Sequence, residues 1–156
     1  MINLFSFPMK YASIEHTDRS YIGRYWNKKY LRAINVILNV TSGVVAKEED
    51  FFLRAYGNNA DKFKMILCMP DDFIRFRDFF EEKGLTQMWK ECYFQLSEEE
   101  HKILIEVTEK IVENPEVLLE KYTNSIDKIL PFYQMTKKKI ENNPMYYEKL
   151  VSIVDL

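Results

Sequence analysis

The apolar residues of the chain recur mostly at intervals of three and four, the spacing that places side chains on one face of an α-helix. The first such pattern predicts a helix from Asn27, a candidate N-cap, to about residue 43. Its apolar face is expected to hold Leu31, Ile34 and Leu38, with Ile37 beside them. Lys28 and Arg32 share another face, so the cations and the core residues would separate.

Capping residues, glycines and prolines divide the rest of the chain into further helices. The strongest local signal is Ser97 followed three residues later by Glu100, which predicts a capping box. Thr86 is expected to cap a helix of its own, and Pro131 to end or kink the helix around it. The expected helices after the first cover roughly 48–57, 59–69, 70–84, 86–93, 97–111, 115–122, 125–131 and 144–154.

A short strand at the N-terminus is the one departure from this helical pattern. Residues 2–7 alternate in part between apolar and polar, and Pro8 ends the run. The expected fold class is therefore mainly α, an irregular multi-helix bundle of about eight helices with a short N-terminal strand. We expect a single helical domain over 1–156, with the strand and an entry loop over 1–25 and the helices over 26–156.

The composition supports a packed helical protein and excludes several other classes. Hydrophobic residues make up 47% of the 156 positions and charged residues 29%, a balance that excludes intrinsic disorder. Four glycines and five prolines are too few for an all-β sandwich or a glycine-rich nucleotide-binding fold. The longest uncharged run, 33–46, is too short and too polar to cross a bilayer, and no signal peptide is evident, so we expect no membrane partner.

Positive charge is concentrated in the N-terminal third of the chain. Residues 1–47 hold seven Lys or Arg and two Asp or Glu, a net charge of +5. Residues 48–97 (seven against ten) and 98–156 (eight against twelve) carry −3 and −4. The basic third would attract a phosphate, a nucleic acid or an acidic partner, or it would face the acidic remainder of the same chain. The lysine run 137–139 is expected to be a solvated face.

No group of residues has the spacing of a catalytic or metal site, so we assign no catalytic residue and no metal ligand. Cys68 and Cys92 form no C-x-x-C pair, and Cys68 lies in an apolar run that predicts a buried thiol in a cytoplasmic protein. His16 and His101 are the only histidines, and we expect His101 to be exposed. An acid/base site formed by this pair is the alternative. The pair Asp71–Asp72 is expected to begin a helix rather than bind a metal ion.

The segment 19–32 is the most informative stretch for function. It interleaves cations with three tyrosines and a tryptophan. Arg and Lys neutralise phosphates, and aromatic faces stack on bases or hold cations. The candidate residues for binding an anion or a nucleic acid are Arg19, Arg24, Trp26, Asn27, Lys28 and Arg32. In the alternative interpretation the aromatic residues fill the core, and Arg24 or Arg32 pairs with an acidic helix.

Four short motifs follow one another in the first half of the chain: SFPMKY at 6–11, DRSYIG at 18–23, WNKKYLRA at 26–33 and ILNVTSG at 37–43. The order continues with two phenylalanines at 51–52, AYG at 55–57, a phenylalanine at 63 and ILCMP at 66–70. Together they resemble the C-terminal part of a group of bacterial radical SAM proteins, over about residues 2–90. In that group a short strand leaves the partial barrel and enters a helical extension, which would explain a strand without a partner.

The sequence lacks the residues that carry the chemistry of that family. Radical SAM proteins hold an iron–sulfur cluster and S-adenosylmethionine with a C-x-x-x-C-x-x-C motif, and this chain has no such triplet. The resemblance therefore implies an accessory domain, non-catalytic by itself, that covers the barrel or recognises a macromolecular substrate. It would hold no cofactor of its own, because the cluster and S-adenosylmethionine would belong to an upstream barrel, its expected partner.

Two other functions stay open from the sequence. One is a standalone helical module that binds nucleic acid or phosphate through segment 19–32, and its binding should depend on salt. The other is a protein–protein interaction domain with an aromatic-rich groove, which an exposed apolar patch would favour.

Overall fold

The structure of the chain, a computed structural model, describes residues 14–15, 20–41, 49–114 and 124–154. Ten α-helices lie in these ranges, which confirms the mainly helical class. None of the helices found there has both the length and the apolar composition needed to cross a bilayer. The strand expected at 2–7 and the helix expected at 115–122 fall outside the described ranges and stay predictions.

The number of helices in the described ranges exceeds the expected eight or so. The helix expected over 70–84 is divided into two, and residues 137–142 form a helix that was not expected. The helices are α1 (Lys28–Thr41), α2 (Glu49–Tyr56), α3 (Ala60–Cys68), α4 (Asp71–Arg75), α5 (Arg77–Glu82), α6 (Leu85–Phe94), α7 (Glu98–Glu113), α8 (Asn124–Gln134), α9 (Lys137–Asn142) and α10 (Pro144–Val154).

The chain divides into two compact units, Met1–Met69 and Pro70–Leu156. In the first unit α1 and α2 both pack against α3. In the second, α8 packs against α6, α7 and α10, α5 packs against α6, and α10 packs against α9. The expectation of a single domain over 1–156 stays a prediction.

Helix α1 buries a different face from the one that the sequence predicts. The side chains it buries are Lys29, Tyr30, Ala33, Val36 and Ile37. Leu31, Ile34 and Leu38, which were expected in the core, are only half-buried. The buried positions precede the expected ones by one residue, a rotation of about 100° around the helix axis. The contact with α3, whose buried residues are Met65, Ile66, Leu67 and Cys68, decides which face is covered.

The boundary between α2 and α3 lies where the sequence places it. Gly57 follows α2 with φ 76°, in the left-handed region that favours glycine. A Cβ at this position would lie 2.7 Å from Cβ of Lys62, so a larger residue would not fit. Asn59 then caps α3, because its side-chain oxygen accepts a hydrogen bond from the backbone N–H of Lys62 at 2.8 Å.

The helix expected over 70–84 is interrupted at Phe76. Asp71 and Asp72 begin α4 as expected, with two negative charges in its first turn. Phe76 has φ −118° and ψ 49°, outside the helical region, although its N–H still bonds to the carbonyl of Asp72 at 2.8 Å. The Asp72 carboxylate accepts a hydrogen bond from the backbone N–H of Lys137 at 2.9 Å, which joins the start of α4 to the start of α9.

Three phenylalanines form the centre of the second unit. Phe73 stacks on Phe80 with ring centroids 4.2 Å apart, and Phe132 meets Phe73 edge to face at 6.0 Å. All three residues are completely buried. The buried residues of this unit also include Leu85, Trp89, Leu104, Val107, Ile126 and Ile129. Phe73 and Phe80 lie on the two helices separated by the break at Phe76, so their contact holds α4 and α5 together.

Pro131 was expected to end or kink its helix, and the first of these outcomes is wrong, because α8 continues through it to Gln134. Proline has no N–H, so the carbonyl of Asp127 loses its intrahelical partner at this position. Leu130 and Phe132, the neighbours of Pro131, are buried. Burial of such a face stabilises a helix more than intrinsic propensity does, and α8 therefore persists.

Thr86 does not cap α6, contrary to the sequence prediction. Helix α6 begins at Leu85, directly after Gly84, which has φ 73°. Thr86 therefore lies in the first turn of the helix, and its side chain is buried. The left-handed glycine turns the chain earlier than a threonine cap would, so both Leu85 and Thr86 enter the core.

The capping box at the start of α7 is confirmed in both directions. The Glu100 N–H donates to Ser97 Oγ at 3.2 Å, and the Ser97 N–H donates to Glu100 Oε2 at 2.9 Å. We expect Ser97→Ala to lower the free energy of unfolding by about 1 kcal/mol, because the Glu100 N–H loses its acceptor. Urea denaturation measures this loss. Ser97→Asp keeps an acceptor and should stay within about 0.5 kcal/mol of the native protein, so an equal loss in both variants would contradict the prediction.

Candidate nucleic-acid interface

A tight turn precedes α1 and projects two residues of the basic-aromatic segment. The backbone N–H of Trp26 donates to the carbonyl of Gly23 at 2.9 Å, which closes a four-residue turn. Arg24 and Tyr25 occupy the two central positions of this turn, and both are exposed. Residues at the corner of a turn point away from the chain that closes it, so both side chains are presented to solvent.

The aromatic residues of this turn expose an unusual amount of surface. Tyr25 is 82% exposed and Trp26 is 41% exposed. The Arg24 guanidinium carbon lies 5.5 Å from the centre of the Tyr25 ring, within the range of a cation–π contact. The alternative interpretation, in which the aromatic residues of the segment fill the core, is therefore wrong for Tyr25 and Trp26, although it holds for Tyr30.

Asn27 positions the start of α1 through its own side chain. Its Oδ1 accepts a hydrogen bond from the Tyr30 N–H at 2.8 Å, and its carbonyl accepts from the Leu31 N–H at 3.1 Å. These contacts confirm Asn27 as the N-cap. The cap places the turn directly before the first helical residue, Lys28, so the exposed aromatic residues adjoin the N-terminal end of the helix.

Lys28 and Arg32 begin a polar stripe along α1. They are four residues apart and both are exposed, about 6 Å apart along the helix axis. Asn35 and Asn39 continue the same stripe, and both are exposed. The stripe therefore offers two cations next to the turn and two amides further along the helix.

The charges at this end of α1 favour an anion. The first turn of α1 carries no acidic residue, and Lys28 stands there instead. A cation near a helix N-terminus opposes the helix dipole by about 0.3–1 kcal/mol, an effect that a bound anion would reverse. The sequence has no Asp or Glu from residue 19 to residue 47. The interface, defined from here on as residues 24–28 with Arg32, therefore combines cations with exposed aromatic rings.

The structure brings most of the predicted residues together in this interface. Arg24, Trp26 and Lys28 lie in the turn and at the helix start, with Arg32 one turn further along α1. Arg19 lies outside the described residues. Tyr25 belongs to the same surface but was not among the candidates, although its position between Arg24 and Trp26 is the signal that could have identified it.

Lys29 contradicts the expected separation of cations from core residues. It is only 2% exposed, and its Nζ donates to the carbonyl of Met69 at 2.6 Å. That carbonyl directly follows α3, so the ammonium stabilises the negative end of that helix. The packing of α1 on α3 places position 29 beside Ala33 in the core.

Tyr30 and Cys68 form a second buried polar contact in the same unit. The Cys68 Sγ and the Tyr30 hydroxyl oxygen are 3.9 Å apart, and both residues are buried. Burial raises the pKa of Tyr30 above its usual value, and the neighbouring Cys68 acts in the same direction. The structure thus confirms Cys68 as a buried thiol, and Cys92 is buried as well. In Cys92 burial also raises the pKa of the thiol.

His101 is half-buried rather than exposed. Its ring meets Tyr93 edge to face at 4.5 Å, and its Nδ1 lies 2.9 Å from the carbonyl oxygen of Ser97. Because that oxygen can only accept, Nδ1 carries the proton in this contact. Its Nε2 has no hydrogen-bond partner among the described residues. These contacts hold the ring against the start of α7.

Among the described residues, no three His, Cys, Asp or Glu side chains come together as a metal site. Comparison of the chain with protein-family models, curated proteins and solved structures finds no match.

Proposed function

We propose that the interface at the start of α1 binds single-stranded nucleic acid. The observation that carries the proposal is the exposure of Tyr25 and Trp26 directly beside Arg24 and Lys28. Exposed rings provide stacking platforms for bases, and cations beside them neutralise phosphates. The rings and the cations lie within five consecutive residues. Proteins that bind single strands without sequence preference combine the same two elements.

The chemistry favours unpaired bases over a duplex. A ring can stack on a base only when the face of that base is accessible, which a continuous duplex prevents in its interior. Arg24 lies over the Tyr25 ring, and Tyr25 still keeps 82% of its surface exposed. A base stacked on Trp26 or Tyr25 would place its phosphates near Lys28, and Arg32 would follow one helical turn further.

The test uses a fluorescein-labelled oligo(dT) and an RNA of the same length, with fluorescence anisotropy as the readout. Trp26→Ala is expected to weaken binding by about 5- to 150-fold, the effect of losing one stacked base. Trp26→Phe keeps an aromatic ring, so its loss of binding affinity should be much smaller. Of the two tryptophans, Trp89 is completely buried, so quenching of intrinsic fluorescence on binding would report Trp26.

The cations are tested through the salt dependence of binding. Lys28→Ala with Arg32→Ala removes two phosphate contacts and should lower the salt slope by about 1.4. Lys62→Ala with Lys64→Ala is the matched control, because both lysines are exposed in the same unit. An equal loss in the control, unchanged binding in the first variant, or tighter binding of a duplex competitor would contradict the proposal.

The relation to a radical SAM barrel remains a separate prediction. The motifs that resemble radical SAM proteins begin in residues that the structure does not describe, and no family model matches the chain. Its test is the reading frame upstream of this sequence, which should encode a C-x-x-x-C-x-x-C motif. Presence of the motif would be compatible with nucleic-acid binding, because an accessory domain could recognise a macromolecular substrate through the same interface.

A further inference from the structure

A second positively charged surface lies in the unit 70–156, at the junction of α9 and α10. It surrounds an open cavity of about 300 Å³ lined by Lys138, Lys139, Asn142, Asn143 and Tyr146. All five lining residues are neutral or positively charged. The cavity lies in the unit Pro70–Leu156, whereas the interface at α1 lies in the unit Met1–Met69.

Two hydrogen bonds connect α9 to α10 at the cavity. The Asn143 N–H donates to the carbonyl of Lys139 at 3.1 Å and ends α9. The Oδ1 of Asn143 accepts from the Tyr146 N–H at 3.3 Å, at the start of α10. Ile140 is buried on the other side of α9 and anchors the helix to the unit. The junction therefore presents the lining side chains from a defined backbone.

The lysine run 137–139 is not a uniform solvated face. Lys137 is half-buried, and its Nζ lies 5.1 and 5.4 Å from the ring centres of Phe76 and Phe79. It also pairs with Glu141 at 3.6 Å. Lys138 and Lys139 remain exposed at the cavity, although Lys139 Nζ also donates to a backbone carbonyl, that of Gln134, at 3.0 Å. Lys138 and Lys139 thus face the cavity, whereas Lys137 packs on aromatic rings.

We propose that this cavity binds a mononucleotide, with its phosphate on Lys138 and Lys139 and its base against the Tyr146 ring. A cavity of about 300 Å³ lies at the lower end of the range for small-molecule sites. The side-chain amides of Asn142 and Asn143 supply donors and acceptors for the edge of a base. Burial also raises the pKa of the Tyr146 hydroxyl above its usual value.

The experiment is isothermal titration of the full chain with ADP, adenosine and inorganic phosphate as separate probes. ADP is expected to bind more tightly than either other probe, because only ADP engages both parts of the cavity. Adenosine or phosphate binding as tightly as ADP would overturn the proposal, as would the absence of ADP binding.

Variants then assign the binding to this cavity. Lys138→Ala with Lys139→Ala should weaken ADP binding by about tenfold or more. Lys102→Ala with Lys110→Ala, which removes two exposed cations from α7, should leave it unchanged. Tyr146→Ala should weaken binding, whereas Tyr146→Phe keeps the ring and should not. Equal effects of the two double-lysine variants, or of the two Tyr146 variants, would overturn the assignment of binding to this cavity.

The result is independent of the interface at α1. Trp26→Ala should leave ADP binding unchanged, and the Lys138/Lys139 variant should still bind oligo(dT). Loss of oligo(dT) binding in Trp26→Ala therefore tests the proposed function alone, and loss of ADP binding in the Lys138/Lys139 variant tests the cavity alone.

Discussion

Replacing Phe73 with alanine is expected to destabilise the unit 70–156 by about 3–5 kcal/mol, the largest effect of any single change considered for this protein. Phe73 is completely buried, and its ring contacts Phe80 at 4.2 Å and Phe132 at 6.0 Å between centroids. Alanine would remove both ring contacts and leave a cavity between α4, α5 and α8. A typical domain is stable by only about 5–15 kcal/mol, so much of its stability would be lost.

The measurement is urea denaturation followed by the fluorescence of Trp89. In a Trp26→Phe background Trp89 is the remaining tryptophan, and it lies in the same unit as Phe73. Phe94→Ala is the matched control, because Phe94 is 70% exposed and its loss should cost at most about 0.5 kcal/mol. Phe73→Leu fills part of the space and should lower the free energy of unfolding less than Phe73→Ala does. The leucine variant therefore keeps the test valid where the alanine variant does not fold. A loss below about 1 kcal/mol for Phe73→Ala would contradict the structure of this core.

Replacing Lys29 with alanine is expected to destabilise the unit 1–69 by about 2–4 kcal/mol. The change removes a charged hydrogen bond of 2.6 Å to the Met69 carbonyl and leaves that carbonyl buried without this donor. It also removes the aliphatic part of a side chain that is 2% exposed. Both losses act on the contact between α1 and the end of α3.

Labelling of Cys68 by a thiol reagent measures how often the contact between α1 and the end of α3 opens. Cys68 is 3% exposed and lies at the end of α3, so it reacts when this contact opens. In a Cys92→Ala background, Lys29→Ala should raise the labelling rate by about 30- to 1,000-fold where opening precedes labelling. Lys28→Ala removes the neighbouring exposed cation and should have little effect.

Lys29→Met separates packing from the hydrogen bond, because methionine keeps most of the stem and removes the ammonium. We expect a loss of stability smaller than that of Lys29→Ala. A methionine variant at least as stable as the native protein would show that burying the ammonium costs more than its contact with Met69 contributes. That outcome would contradict the stabilising role assigned to Lys29.

The features that the sequence predicted correctly depend on interactions within four residues. Asn27 and Ser97 cap their helices through a backbone N–H three residues later. Gly57 ends α2 because its positive φ suits glycine. These signals are complete in a short stretch of chain, so they can be identified without knowledge of the tertiary structure.

The burial of two lysines, which the sequence did not predict, depends on residues distant along the chain. Lys29 is buried because its Nζ donates to the carbonyl of Met69, forty positions later. Lys137 turns away from solvent because Phe76 and Phe79 lie beside it, about sixty positions earlier in the chain. Periodicity cannot indicate such partners, because it records only how each segment distributes its own apolar residues.

The interface at α1 shows the same division between local and distant information. The sequence by itself determined the helical class, the capped start of α1 and the clustering of cations with aromatic residues in segment 19–32. Only the tertiary structure decided that Tyr25 and Trp26 are exposed while Lys29 is buried. The physical reason is the packing of α1 on α3, which selects one face of the helix for the core and leaves the turn before it in solvent.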